Sequence, residues 1–223
     1  MIGLLEGFSN QDLEQMSSLK VPLITSFRNI YGRPTIRKLK AEMAKPETKS
    51  FLVKRDPFKR LLSGYRNKIV ESDLKHKGSK YYQKIAITIL STYRGESNYK
   101  LGKNIPSFPE FVRYILDTNN STGEIDMHWA PVVEFCSVCK VNFTHIIDFE
   151  NLYEDMVKMM PENKQVLETV KSRRLNVNKI GPITDSDVLE EFGKLPPSLH
   201  HRLCQLYEKD FKVFGYSNKN CKF

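Results

Sequence analysis

A short apolar strand running straight into a capped amphipathic helix constrains this chain more than any other feature. Ser50-Phe51-Leu52-Val53-Lys54 has the length and the branched and aromatic content of a buried strand. Arg55-Asp56-Pro57-Phe58 then turns the backbone, with Asp56 suited to cap a helix and Pro57 to fill its first position. Beyond the turn, Phe58, Leu61, Leu62, Tyr65 and Ile69 share one helical face, and Lys59, Ser63 and Arg66 share another. Strands that alternate with helices point to an α/β fold with a parallel central sheet flanked by helices. Open sheets of that kind bind ligands at the carboxyl ends of their strands. Arg55 stands at such an end.

The rest of the chain agrees with this reading. A basic helix is predicted from Pro34 to Ala44 on Ile36, Leu39 and Met43, closed by Pro46, and another from Tyr81 to Arg94. Ser107-Phe108-Pro109-Glu110 forms a capping box that opens a helix through Leu116, and Asn119–Gly123 reads as a loop. His145–Phe149 is the second distinct strand. It leads into a helix from Glu150 to Met160, where Glu150 caps the helix or orients a ligand hydroxyl. Further helices are expected near Asn163–Arg173, Asp185–Phe192 and Ser198–Val213. With two clear strands the sheet order stays open. At 223 residues a single domain over 1–223 is expected.

Charge narrows the partners. Thirty-five Lys and Arg against 26 Asp and Glu give +9 and a pI near 9.3, which favours anionic ligands or amounts to a solvated basic surface. No apolar run approaches the ~18 residues of a membrane span, and Met1–Leu5 meets Glu6 without a basic leader, so the chain reads as soluble. Cys136 and Cys139 form a CxxC, with Cys204 and Cys221 apart. No second CxxC completes a zinc set, so no metal is expected, and a disulfide or buried thiols is preferred. At the strand end, Arg55 offers a bidentate fork to a phosphate and Ser63 a hydroxyl, with Lys59 and Arg66 adding potential. The plainer alternative is a solvated basic face with Arg55 paired to a carboxylate.

Residues 51–68, FLVKRDPFKRLLSGYRNK, resemble the 3′-phosphate-binding motif of Golgi carbohydrate sulfotransferases, in the branch of the chondroitin and dermatan 4-O-sulfotransferases and the natural killer epitope enzyme. The likeness continues in order through Phe108–Asp117, the HWAP stretch of His128–Pro131 with Cys136 and Cys139, the strand His145–Leu152, and the tail Leu206–Tyr216. Together these span about residues 50–217.

The resemblance implies a P-loop-like sulfotransferase fold and 3′-phosphoadenosine 5′-phosphosulfate as co-substrate, without a metal. The acceptor would be a glycan hydroxyl on a glycosaminoglycan or glycoprotein sugar, not nucleic acid. Arg55, Ser63 and Arg66 carry over as nucleotide ligands. His128 is the candidate base that takes the acceptor proton, or else packs a loop, and Trp129 is a candidate platform for a sugar ring. The family's 5′-phosphosulfate loop, with its first strand and N-terminal membrane anchor, has no counterpart in the sequence. A truncated chain without turnover of its own is therefore expected. The sequons at Asn119, Asn120 and Asn142 suit a Golgi luminal protein, where Cys136 and Cys139 would be free to pair and Cys204 offers either an alternative partner. The rival reading is a non-catalytic binder of anions, glycosaminoglycan or nucleic acid.

Overall fold

The two strands legible in the sequence pair with each other. The computed structural model describes residues 32, 35–71, 79–96, 103–136, 138–164, 167, 168, 171, 181–217 and 221. In it, Phe51–Lys54 (β1) and His145–Asp148 (β2) form a two-stranded sheet. The His145 N–H donates to the Ser50 carbonyl and the Phe149 N–H to that of Lys54, each at 2.9 Å. Both bonds keep the 95-residue offset that also separates Arg55 from Glu150. A constant offset means parallel strands. The architecture is α/β, a parallel two-stranded sheet flanked by helices.

The chain divides into two compact units. The first reaches to Leu52 and takes in Phe143–Ile146. It holds Ile36–Met43 (α1), capped by the Thr35 hydroxyl, which accepts from Lys38 N–H. It also holds a clasp in which Ser50 and Thr144 exchange bonds of 2.7 to 3.0 Å through both backbones and both hydroxyls.

The second unit contains the core. Pro57–Tyr65 (α2) starts where expected, with Asp56 accepting from the N–H groups of Phe58 and Lys59 at 2.9 Å. Its apolar face is fully used: Phe58, Leu61, Leu62 and Tyr65 are buried, and Phe58 stacks on Phe192 at 4.2 Å. Over Arg66–Val70 the helix widens, and Glu71 N–H reaches back five residues to the Arg66 carbonyl. Such widened turns recur at functional sites. Around α2 the core draws on Ser79–Arg94 (α3), Phe108–Thr122 (α4), Asp185–Gly193 (α7) and Pro197–Phe214 (α8). The short helices Val132–Phe135 (α5) and Leu152–Met159 (α6) lie before and after β2 in the chain.

Three expectations are corrected, and the cysteine pairing left open above is decided. Asn119–Gly123 is not a loop: α4 continues to Thr122, with the Ser121 and Thr122 hydroxyls both donating back to the Thr118 carbonyl, and stops where Gly123 turns left-handed at φ +68° and its N–H donates to the Asn119 carbonyl. Glu150 does not cap α6, because its carboxylate is taken by Arg55. Cys136 and Cys139 are free thiols, whereas Cys204 on α8 is bonded to Cys221. Trp129 is 2% exposed and sits edge-on to Phe111 at 5.1 Å, so its ring is core rather than a sugar platform. The expected helix near 163–173 and the readings for residues 1–31 lie largely or wholly outside the described residues.

Candidate functional site

At the carboxyl end of β1 the cations are engaged. Arg55 Nε donates to Glu150 Oε1 at 3.1 Å, and its guanidinium lies 4.4 Å from the centre of the Phe149 ring. Lys54 pairs with Asp148 at 3.1 Å, and the Tyr216 hydroxyl donates to the same carboxylate. One turn into α2, Lys59 meets Asp185 at 2.8 Å, and at the widened turn Arg66 meets Asp187 at 2.6 Å. The pairing of Arg55 with a carboxylate, set out above as the plainer alternative, is the arrangement present, and it extends to Lys59 and Arg66.

The reason lies in α7. Thr184 caps that helix and its hydroxyl donates to Asp187. That bond first, and then the one from Arg66, hold the Asp187 carboxyl well below the usual carboxylate range. The acidic first turn of α7 therefore faces the basic stripe of α2. Arg55 and Arg66 are 16% and 14% exposed. Among the described residues each spends one guanidinium nitrogen on a carboxylate, Nε for Arg55 and Nη2 for Arg66. A guanidinium carries five N–H donors, so a single carboxylate bond does not exhaust either one, and the half-buried Ser63 lies on the same stripe of α2 as Arg66.

His128 belongs to a tightly held segment beside α2. Arg60 donates to the Ala130 and Met127 carbonyls at 2.7 and 2.9 Å. Asp210, 1% exposed on α8, accepts from the N–H groups of Val132 and Val133 at 2.7 and 2.9 Å. The Tyr207 hydroxyl donates to the Trp129 carbonyl. A Cβ on Gly64 would stand 3.5 Å from the His128 carbonyl oxygen, so His128 rides against the helix one residue past Ser63. The His128 side chain is 35% exposed, and its Nδ1 lies 2.7 Å from Asp126 Oδ1 and 2.9 Å from the Tyr82 hydroxyl.

Arg60, Tyr82, Asp126, Tyr207 and Asp210 were not singled out from the sequence. A local signal existed only for Asp126, since Asp two residues before a turn N–H is the pattern of an Asx turn, and its carboxylate accepts from His128 N–H at 2.8 Å. The other four act across 46 to 78 residues of chain. Among the described residues no group of three or more His, Cys, Asp or Glu is placed to hold a metal ion, and no helix is long and apolar enough to cross a membrane.

The sequence model of the sulfotransferase family matches residues 8–217, and the chain belongs to that family. Carbohydrate sulfotransferase 10 of Xenopus laevis is 30% identical over 178 residues, which are 78% of this chain and 48% of that protein. Carbohydrate sulfotransferase 14 of Mus musculus is 30% identical over 183 residues, covering 76% and 43%. Carbohydrate sulfotransferase 8 of Mus musculus is 34% identical over 170 residues, covering 73% and 38%. The chain spans about half or less of the length of these curated relatives. No solved structure matches it.

Proposed function

We propose that residues 1–223 belong to one carbohydrate sulfotransferase domain, N-terminally incomplete in this chain, which in the whole protein transfers a sulfuryl group from 3′-phosphoadenosine 5′-phosphosulfate to a glycan hydroxyl, on a chondroitin- or dermatan-like chain or a glycoprotein sugar. The observation that carries this reading is the contact of the His128 backbone with Gly64, which sets a candidate base beside the α2 stripe of Ser63 and Arg66. The family match over 8–217 and the printed names of the relatives support it. The Cys204–Cys221 disulfide suits an oxidising compartment, in keeping with the Golgi lumen and its membrane.

When bound, the nucleotide supplies the sulfuryl group for in-line displacement at sulfur, with the 5′-phosphate as leaving group. The chain's own residues hold and deprotonate. Arg55 and Arg66 bind the 3′-phosphate through guanidinium edges not spent on Glu150 and Asp187, and Ser63 donates its hydroxyl. His128 takes the proton of the acceptor hydroxyl as that oxygen attacks sulfur. The clamp of Arg60, Tyr207 and Asp210 keeps the segment bearing His128 in register with α2.

Two measurements test this. Calorimetry with 3′-phosphoadenosine 5′-phosphate should show saturable binding that weakens roughly ten- to hundredfold in Arg55→Ala. Transfer of labelled sulfate to desulfated chondroitin, dermatan and glycoprotein glycans should be absent from residues 1–223 alone and, in a version extended upstream with the family's 5′-phosphosulfate loop, should depend on His128. Binding without transfer to any acceptor by the extended version would leave a nucleotide-binding relative without catalysis, and no nucleotide binding at all would overturn the reading.

A further inference from the structure

His128 has two polar neighbours on the same ring nitrogen, and they make opposite demands. Nδ1 lies 2.7 Å from Asp126 Oδ1 and 2.9 Å from the Tyr82 hydroxyl. An ionised carboxylate only accepts, so it requires a proton on Nδ1. A phenol that donates to Nδ1 requires that nitrogen to be bare, with the proton on Nε2 instead. Only the first arrangement leaves Nε2 with a lone pair.

The carboxylate prevails on three grounds. Burial raises the affinity of Asp126 for a proton, but the side-chain and backbone hydrogen bonds from His128, with the charges of His128 and Lys68, outweigh it and hold the group below its ordinary value. Asp126 is thus anionic at neutral pH. Two facing lone pairs at 2.7 Å would repel, and a charge-assisted bond is roughly twice as strong as a neutral one. The neighbours are also fixed. Asp126 Oδ1 accepts from His128 N–H at 2.8 Å, its carbonyl accepts from Trp129 and Ala130 N–H, and Arg60 grips the Met127 carbonyl. Tyr82 accepts from the shared Nδ1–H without giving up its own proton. Burial first, and then the Asp126 charge, push its phenol well above its ordinary value, with Lys68 5.3 Å from its ring centre.

We propose that Asp126 is a positioning residue that locks His128 in the Nδ1–H tautomer against the pull of Tyr82, so that Nε2 is the atom that takes the acceptor proton. The role of Nε2 rests on the sulfotransferase reading given above; the tautomer does not. On proton transfer Nε2 gains the hydroxyl proton, the ring becomes an imidazolium, and its Nδ1–H remains on Asp126, which stays ionised.

The test is long-range proton–nitrogen NMR on the full chain labelled with nitrogen-15 in histidine, at about pH 8.5, where an ordinary imidazole is neutral. The His128 signals are assigned by their loss in His128→Gln. The wild-type ring should be Nδ1–H. In Asp126→Ala the Tyr82 hydroxyl becomes the donor and the ring should switch to Nε2–H, while adding Tyr82→Phe should return a mixture. Asp126→Asn keeps an acceptor for the turn N–H, guards against misfolding of the alanine variant, and should lower the Nδ1–H fraction. A wild-type Nε2–H ring, or a tautomer unchanged in both Asp126 variants, overturns the proposal. Under sulfate transfer by the version extended with the 5′-phosphosulfate loop, Asp126→Ala should lower kcat by about a hundredfold or more, within the range of general-base contributions, with KM for the acceptor nearly unchanged. The NMR result needs no turnover, so failure of the sulfotransferase reading still leaves the tautomer decided.

Discussion

Arg66 and Asp187 lie 121 residues apart in the chain, yet their side chains meet at 2.6 Å, joining the widened end of α2 to the capped start of α7. The contact sets an anion on the guanidinium that the proposed function assigns to a phosphate. Arg66 is therefore both preoriented by Asp187 and partly neutralised by it.

Nucleotide affinity should report the two effects with opposite signs. Arg55→Ala removes a charge-assisted contact and should weaken binding of 3′-phosphoadenosine 5′-phosphate roughly ten- to hundredfold, while Ser63→Ala, a neutral donor, should cost about 0.5–1.5 kcal/mol. Asp187→Asn removes the competing charge but keeps an acceptor for Thr184, and should tighten binding at low salt. Calorimetry at two ionic strengths checks all three, and the Asp187 effect should shrink in high salt.

Acid stability should trace to Glu110. Arg94 grips its carboxylate through Nε and Nη2, each at 2.6 Å, and the Ser107 N–H and hydroxyl add two bonds of 2.7 Å. The Arg94 bonds are the largest influence, and against burial they bring Glu110 down to about 2. The folded value lies below the unfolded value of about 4.3. The stabilisation is therefore full above about pH 5 and lost as pH falls toward 2. Glu110→Gln should cost about 1 kcal/mol at pH 7, discounted for partial exposure, and much less at pH 3, measured by urea unfolding.

Gly64 should accept one methyl group and no more. It sits within α2, where its Cβ would lie 3.5 Å from the His128 carbonyl and 3.8 Å from Trp129, ordinary contact distances. Gly64→Ala should be neutral or stabilising by up to about 1 kcal/mol through helix propensity. Gly64→Leu should displace the His128 segment and lower the melting temperature. Circular dichroism melts separate the two.

Reduction should destabilise the chain through one disulfide alone. Cys204 and Cys221 enclose a 17-residue span, for which chain-entropy arguments give about 3 kcal/mol. Dithiothreitol should lower the unfolding midpoint, and Cys204→Ser with Cys221→Ser should abolish that sensitivity. Replacing Cys136 and Cys139 by serine should leave it intact.

Local order was legible because local rules produce it. The apolar face of α2, the Asp56 cap, the capping box at Ser107 and the two strands follow from side-chain periodicity and from backbone groups that need partners a few residues away. The end of α4 was misjudged because Asn, Ser and Thr disfavour helix only weakly, and the hydroxyls of Ser121 and Thr122 folded back onto the Thr118 carbonyl of the helix itself until Gly123 turned the chain. The residue types of the candidate site were also written in the sequence, at Arg55, Ser63, Arg66 and His128. Their partners were not. Glu150, Asp187, Tyr82 and Asp210 reach the site from 46 to 121 residues away, and Cys204 took Cys221 rather than a thiol of the CxxC. A chain pattern specifies which groups must be buried or paired, but which charge meets which is decided only when packing brings distant helices into contact. There the separation in space replaces the separation in sequence, and Coulomb attraction and hydrogen-bond geometry select among the carboxylates that arrive.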